Sequence, residues 1–387
     1  MAASKIFTRD FVLCFFAQFV FSSVFCILLP TLPIYLSRLG STKAEIGILI
    51  GIFSVSSLIL RPFVGRGLLR IPERKFMMVG VLLYAVSSVA YILAPPFWPF
   101  LIVRLLQGTG LAFFSTASFT MVANIIPEGH RSRMISYFYL SINFAFILGP
   151  YFGMLLINLF DFTILFLVCT GLSLCSLFIT TRLTERPMNS FENQLVEKQP
   201  LLSREALPAA IMAFLVNIIW GAMAAFFPLY AMHQGVSNPG FFFGILAITL
   251  ILVRSLGGRL LDIYSKDRVI PPCLFAHIMA MIILTFSTTS PMFILVAVIW
   301  GMGMAFLYPT LVAYSIDHAG SRLSPAMGTF TAVADFGTAI GPVIMGIILQ
   351  WTSYPIMFLS LALTGVINLI YFSQAVRRKG DRRDAHL

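Results

Sequence analysis

Long apolar stretches alternate with short polar breaks along the whole chain. They run roughly 11–36, 45–69, 76–94, 97–123, 133–158, 160–181, 208–232, 240–263, 270–289, 291–315, 325–350 and 354–375. An α-helix needs about 20 apolar residues to cross a bilayer, so the pattern predicts twelve transmembrane helices. Lipid offers no water to backbone N–H and C=O groups, so a spanning segment has to satisfy them internally. The alternating segments of about ten residues that mark a β-barrel are absent. The longest polar interval, RLTERPMNSFENQLVEKQPLLSREALP at 182–208, separates six predicted helices from six.

The two groups of six repeat one another. LRPFVGRGLLRIPERK at 60–75 has a counterpart in VRSLGGRLLDIYSKDR at 253–268, with Arg61 matched by Arg254, Gly65 by Gly258 and Arg66 by Arg259 at one offset (254 − 61 = 193). GTGLAFF at 108–114 pairs with GMGMAFL at 301–307, LGPYFG at 148–153 with IGPVIMG at 340–346, and PIYLSRLG at 33–40 with PLYAMHQG at 228–235. Six helices per unit place both unit N-termini on one side of the membrane. The repeats are therefore expected to be parallel and related by a pseudo-two-fold axis along the membrane normal. The expected division is a first six-helix bundle at 1–181, a cytoplasmic linker at 182–207, a second bundle at 208–376 and a basic tail at 377–387.

Composition excludes an ordinary soluble globule. Only 11% of residues are charged and 59% are hydrophobic, with a mean hydropathy of +0.93, against about 25% charged in soluble domains. A net charge of +11 raises nucleic-acid binding, but the placement of the charges points to topology. With a cytoplasmic N-terminus, Lys5, Arg9, Arg66, Arg70, Arg74, Lys75, Arg131, Arg133, Arg182, Arg259, Lys266 and the basic tail fall inside, and only Arg38 and Lys43 fall in an outer loop. That is the positive-inside bias. It predicts a multi-pass protein of a bacterial inner membrane with both termini cytoplasmic and no nucleic-acid partner. The first stretch is too long for a signal peptide and lacks a small-residue cleavage site, so it reads as a retained helix.

The five cysteines lie within predicted spans without metal-ligand spacing and read as small buried residues, so neither metal nor cofactor is expected. There is no GxxxxGK[ST] nucleotide loop, no HExxH and no pair of carboxylates at bilayer depth, which speaks against an enzyme. Two charged side chains do fall deep in predicted spans. Arg104 is about seven residues, or ~10 Å, from its helix end; a guanidinium there faces protein or a water-filled cavity, unless it snorkels to the headgroups. Asp335 stands about ten residues into its helix, or ~15 Å. It can gain and lose a proton as a cavity opens to either side, or else be fixed in a pair with His277 or an arginine. His277 itself reads as a packing or hydrogen-bonding residue.

On these motifs the whole chain resembles the major facilitator superfamily, most closely its drug:proton antiporter and sugar-efflux branches. Gly65, Arg70 and Arg74 are similar to that family's GxLxDRxGR loop after the second helix, while Leu69 and Pro72 depart from it. The second copy has an acid, Asp262, four residues after Gly258, and the resemblance implies that it docks near Arg131, Ser132 and Arg133 as a gate latch. Arg74 with Lys75 reads more simply as a headgroup anchor. RLLQGTG resembles the fourth-helix pattern RxxQGxG through Arg104, Gln107 and Gly108. Gly149, Pro150 and Gly153 resemble the fifth-helix antiporter signature, although Gly341, Pro342 and Gly346 repeat it.

The resemblance further implies a cavity lined by helices 1, 4, 7 and 10. These offer Gln18, Ser22, Phe113, Ser115, Ser118, Asn217, Trp220, Phe226, Trp300, Tyr308 and Tyr314, each of which could instead pack helices. The function it implies is secondary active transport by alternating access: proton-coupled export of a small amphipathic molecule or sugar by a monomer. An uptake permease, a lipid translocator and a non-transporting membrane sensor are the alternatives.

Overall fold

The computed structural model describes residues 8–126, 131–184, 203–257, 263–319 and 323–384. Gly258, Asp262 and most of the linker lie outside the described residues, as do the side chains of Arg131, Ser132, Arg133 and of the chain from 375 onward. The expected Asp262 latch is therefore outside them at both ends.

The described chain forms twelve helices: α1 Arg9–Arg38, α2 Lys43–Gly67, α3 Glu73–Leu93, α4 Trp98–Ile125, α5 Arg131–Leu159, α6 Phe162–Thr181, α7 Leu207–His233, α8 Gly240–Gly257, α9 Lys266–Phe286, α10 Ser290–Ala319, α11 Leu323–Trp351 and α12 Tyr354–Asp384. All twelve are long and apolar enough to span a membrane, and no strand occurs among the described residues. The predicted segments hold to within a few residues at most ends. The main extension is α12, which runs on into the basic tail.

Local chemistry sets the helix ends. Thr8 Oγ1 accepts from the Phe11 amide at 3.2 Å and Asp161 Oδ1 from the Ile164 amide at 2.9 Å, each satisfying a first-turn donor that has no intrahelical partner. Before α2, Thr42 and Glu45 cap one another: the Thr42 amide donates to Glu45 Oε2 at 2.7 Å and the Glu45 amide to Thr42 Oγ1 at 3.3 Å. This reciprocal box satisfies two backbone donors at once. α1 and α7 end on glycines in the left-handed region, Gly40 at φ 84° and Gly235 at φ 81°. The next amide reaches back in each case, Ser41 to the Leu36 carbonyl and Val236 to the Ala231 carbonyl, in the reversal for which a residue without Cβ is suited.

The chain divides into two compact units. One holds the stretch up to Ser41, the stretch from Ile52 through α6, and Ser237–Gly244; the other holds Thr42–Gly51, α7 with the residues to Val236, and Ile245 onward. Within the first, α1 packs on α5 and α6, and α3 packs on α4 and α6. Within the second, α7 packs on α11 and α12, and α9 packs on α10 and α12. The sequence repeat is thus a repeat of helix neighbours.

Polar ties repeat as well. Asn124 Nδ2 donates to Glu73 Oε1 at 2.7 Å, joining the end of α4 to the start of α3. At the same offset in the second unit, Lys266 bonds Asp317 and donates to the Ala313 carbonyl, joining α9 to α10. The contact is kept while its donor and acceptor change sides. Tyr35 donates its hydroxyl to the Tyr91 carbonyl, and its counterpart Tyr230 donates to the Ser287 carbonyl.

One expectation is corrected. Cys175 is exposed on α6 rather than buried with the other four cysteines. Arg74 Nη2 donates to the Thr181 carbonyl at 2.7 Å, where a cation satisfies an end-of-helix acceptor and complements the helix dipole.

Candidate functional site

Glycine fixes how closely α4 meets its neighbours. A Cβ on Gly108 would fall 2.3 Å from the Phe53 carbonyl oxygen of α2, and one on Gly110 would fall 2.7 Å from the Gly80 carbonyl oxygen of α3. No side chain fits at either place. The approach carries Phe53 under Arg104, whose guanidinium carbon lies 4.5 Å from the ring centroid, within cation–π range. Arg104 Nη1 donates to Gln107 Oε1 at 2.7 Å, and Tyr91 donates its hydroxyl to the same oxygen at 2.6 Å. Arg104 is 6% exposed and Gln107 1%. The cation is held inside the protein by a shared acceptor and an aromatic face, which decides against the snorkelling alternative.

The antiporter-like glycines of α5 also permit close packing. A Cβ on Gly149 would sit 2.5 Å from Cys26 Cβ, and one on Gly153 would sit 2.6 Å from the Ile27 carbonyl oxygen, both on α1. Gly337 and Gly341 do the same for α11 against the Phe214 and Ile218 carbonyl oxygens of α7, at 2.2 and 2.4 Å. The Pro150 carbonyl oxygen lies 2.2 Å from the place of a Cβ on Gly240, in the same unit. Gly65 differs, because a Cβ there meets nothing within 4 Å. Gly341→Leu should therefore destabilise the protein by about 1–3 kcal/mol or more through overpacking against backbone. Gly65→Ala should leave stability unchanged or raise it by up to about 1 kcal/mol through helix propensity. Melting of the two variants in detergent, followed by size-exclusion chromatography, checks the contrast.

The first unit carries an open cleft of about 410 Å³, within the usual range of roughly 300–1,000 Å³ for small-molecule sites. Three helices each give it one face. Gln18, Ser22 and Phe25 come from α1; Leu111, Ser115 and Phe119 from α4; Tyr139, Ile142 and Phe146 from α5. Their spacings, three, four and seven residues on α1 and α5 and four and eight on α4, keep each set on one side of its helix. Arg61 of α2 completes the wall. Ser118 donates to Gln18 Oε1 at 2.7 Å and Gln18 Nε2 donates to Ser22 Oγ at 2.9 Å, so a polar track runs beside the aromatic walls.

Of the expected lining residues, Gln18, Ser22 and Ser115 reach this cavity and Ser118 bonds to its rim. Phe113 packs edge-on against Phe76, 5.3 Å between centroids. In the second unit Asn217 donates to the Ala334 carbonyl at 2.8 Å, tying α7 to α11 one residue from Asp335, which is half-buried. Phe226 is fully buried, and Trp300 is 1% exposed, 5.8 Å from Trp220 and 6.4 Å from His277 between ring centroids. Tyr314 belongs to a buried apolar cluster, with Tyr308 packed against it. Phe226, Trp300 and Tyr314 are core, and Trp220 and Tyr308 are half-buried. Arg254 donates Nε to the Ala305 carbonyl at 3.0 Å, and Arg70 is exposed after α2.

His277 is fully buried, with Nδ1 on the Cys273 carbonyl at 2.8 Å and Nε2 without a hydrogen-bond partner among the described residues. It therefore makes no hydrogen bond to Asp335. Its counterpart in the first unit is Tyr84. Each packs on a glycine of the next helix, His277 on Gly303 and Tyr84 on Gly110, which accounts for His277 as a packing residue. Among the described residues no His, Cys, Asp and Glu cluster could hold a metal ion.

The Major Facilitator Superfamily model matches residues 14–324 and 240–386. The chain belongs to this superfamily. It is a multi-pass membrane transporter, not an enzyme. It is similar to the staphylopine export protein of Staphylococcus aureus (strain Mu50 / ATCC 700699), 24% identical over 371 residues that cover 91% of this chain and 92% of the relative. It is also similar to the quinolone resistance protein NorA of Staphylococcus aureus (strain COL), 22% identical and covering 90% and 92%. Among solved structures, the nucleoside transporter NupG superposes with a TM-score of 0.79 at 14% identity, covering 95% of this chain and 99% of the other. That likeness supports the fold.

Proposed function

We propose that this superfamily member is a proton-coupled exporter of a small amphipathic molecule. It acts as a monomer in a bacterial inner membrane with both termini cytoplasmic. The observation that carries the reading is the cavity of about 410 Å³, with aromatic walls and a Gln18–Ser22–Ser118 polar track. Such a chamber suits an apolar body with a few polar groups. Arg104 with Gln107 supplies a fixed buried cation in the same unit, and Asp335 supplies the group that takes up and gives back the proton. Export is favoured over uptake because the staphylopine exporter and NorA match nearly full length, and Gly149, Pro150 and Gly153 follow the antiporter pattern. The basic residues crowded onto one set of loops favour the orientation.

Reconstituted vesicles loaded with an acidic interior test coupling and direction together. An antiporter exchanges internal protons for external substrate, so one or more of three fluorescent aromatic probes, a carboxylate, a zwitterion and a cation, should accumulate above the level in protein-free vesicles. A protonophore should abolish that accumulation. Probe levels no higher than in protein-free vesicles, or accumulation driven only when the outside is acidic, would overturn proton-coupled export. The second pattern is that of an uptake permease.

A further inference from the structure

We infer that Tyr91 is a positioning residue for the buried cation: its hydroxyl holds the Gln107 amide in the orientation that keeps Arg104 over Phe53, and the transport rate depends on that hydroxyl. The inference rests on the transporter reading and extends it to α3, which carries none of the residues named for transport so far. A guanidinium has donors only, so the Gln107 atom that faces Arg104 at 2.7 Å is the amide oxygen. Tyr91, 2.6 Å from the same oxygen, is therefore a donor as well. Two donors occupy both lone pairs of that oxygen, which leaves the amide one orientation.

Tyr91 is itself held firmly. It is fully buried, its ring lies against Phe100 and Phe166 with centroids 4.8 and 5.4 Å apart, and its carbonyl accepts from the Tyr35 hydroxyl at 3.2 Å. A line of contacts thus runs from α1 through α3 to the cation on α4: Tyr35, Tyr91, Gln107, Arg104. Gln107 and the Phe53 ring are among the groups that hold the guanidinium.

The repeat separates this network from the needs of packing. At the offset of 193, Phe53 is matched by Leu246, Tyr91 by Leu284, Arg104 by Ala297 and Gln107 by Trp300 (246 − 53, 284 − 91, 297 − 104, 300 − 107). All four counterparts are buried. The helix approach is kept all the same: Gly301 stands where Gly108 does, and a Cβ there would fall 3.3 Å from the Leu246 carbonyl oxygen. The second unit therefore builds the same contact from apolar side chains. Exchanging buried charged groups for well-packed apolar ones is often neutral or stabilising, so packing alone does not call for Tyr91, Gln107 and Arg104.

Side-chain NMR of the full-length chain in detergent, with isotope-labelled arginine, tests the positioning without any substrate. The Arg104 signal is the one lost in Arg104→Lys. Tyr91→Phe keeps the ring and the backbone carbonyl and removes only the hydroxyl; it should shift the Arg104 signal and leave the other arginines in place. An unmoved Arg104 signal would overturn the inference. Initial rates in acid-loaded vesicles, with the same three fluorescent aromatic probes, read the effect on transport. Tyr91→Phe should slow the transported probe roughly tenfold, the scale of one hydrogen bond. Its half-saturating concentration should stay unchanged, because the described cleft wall contains none of Tyr91, Gln107 and Arg104. In an Arg104→Lys background the same substitution should cost less than about twofold, since the effects of coupled residues do not add. Equal slowing in both backgrounds marks a merely structural hydroxyl and would contradict the inference, as would a wild-type rate in Tyr91→Phe. If Tyr91→Phe does not fold, Gln107→Met takes its place: loss of the shared acceptor should move the Arg104 signal, and an unmoved signal would overturn the inference. A shifted signal in a protein whose wild type moves none of the probes would uphold the positioning and sink the export reading.

Discussion

Arg104→Ala should reduce transport by roughly a hundredfold or more, about 3 kcal/mol of barrier, while the protein still inserts and purifies as a folded species. Removing the guanidinium takes away the charge over Phe53 and one of the two donors on Gln107 Oε1, but Tyr91 still satisfies that oxygen. The loss should therefore register in function before it registers in folding. Arg104→Lys should fall between, because an ammonium keeps the charge but not the planar fork that reaches Gln107 and lies over the ring. Initial rates in vesicles, normalised to folded protein, give the comparison. Full activity of Arg104→Ala would make this cation a structural relic of the motif.

Asp335→Asn should abolish the dependence of transport on a pH gradient and leave gradient-free exchange of substrate at or near the wild-type rate. Asparagine keeps the shape of the side chain and cannot cycle a proton. Its place should survive the change, since the neighbouring Ala334 carbonyl is held by Asn217 and a Cβ at Gly337 would collide with the Phe214 carbonyl. Acid-loaded vesicles carrying the variant should accumulate no more substrate than vesicles without a gradient. Gradient-driven accumulation at the wild-type level would remove Asp335 from coupling.

Much of the fold was legible in the sequence, because the requirement that a lipid-spanning backbone satisfy itself produces long apolar runs. The repeat was legible because both units use the same glycines and basic residues at helix ends. The cavity was less so. A helix in a membrane is apolar on its lipid face and on its packed face alike, so nothing in the pattern separates Trp300, a core residue, from Phe25, a wall residue. Tyr139, Ile142 and Phe146 were missed although their spacing places them on one face; the resemblance directed attention to helices 1, 4, 7 and 10, and these residues are on α5. Arg61 was read with the gate motif, yet it stands in the cavity wall. Its surroundings come from α1, α4 and α5, which no local stretch reveals. The Arg74 cap is of the same kind, since its acceptor is the Thr181 carbonyl on another helix.

Alternating access is the central claim, and a single engineered thiol in the cavity tests it most directly. Cys175 is the exposed native cysteine among five, so Ser115→Cys in a Cys175→Ser background presents one new reactive site facing the chamber. A membrane-impermeant maleimide, added to oriented vesicles from one face and then in a separate sample from the other, should label it from both faces, with substrate changing the ratio of the two rates. Labelling confined to one face, unaltered by substrate, would contradict a chamber that opens to each side in turn.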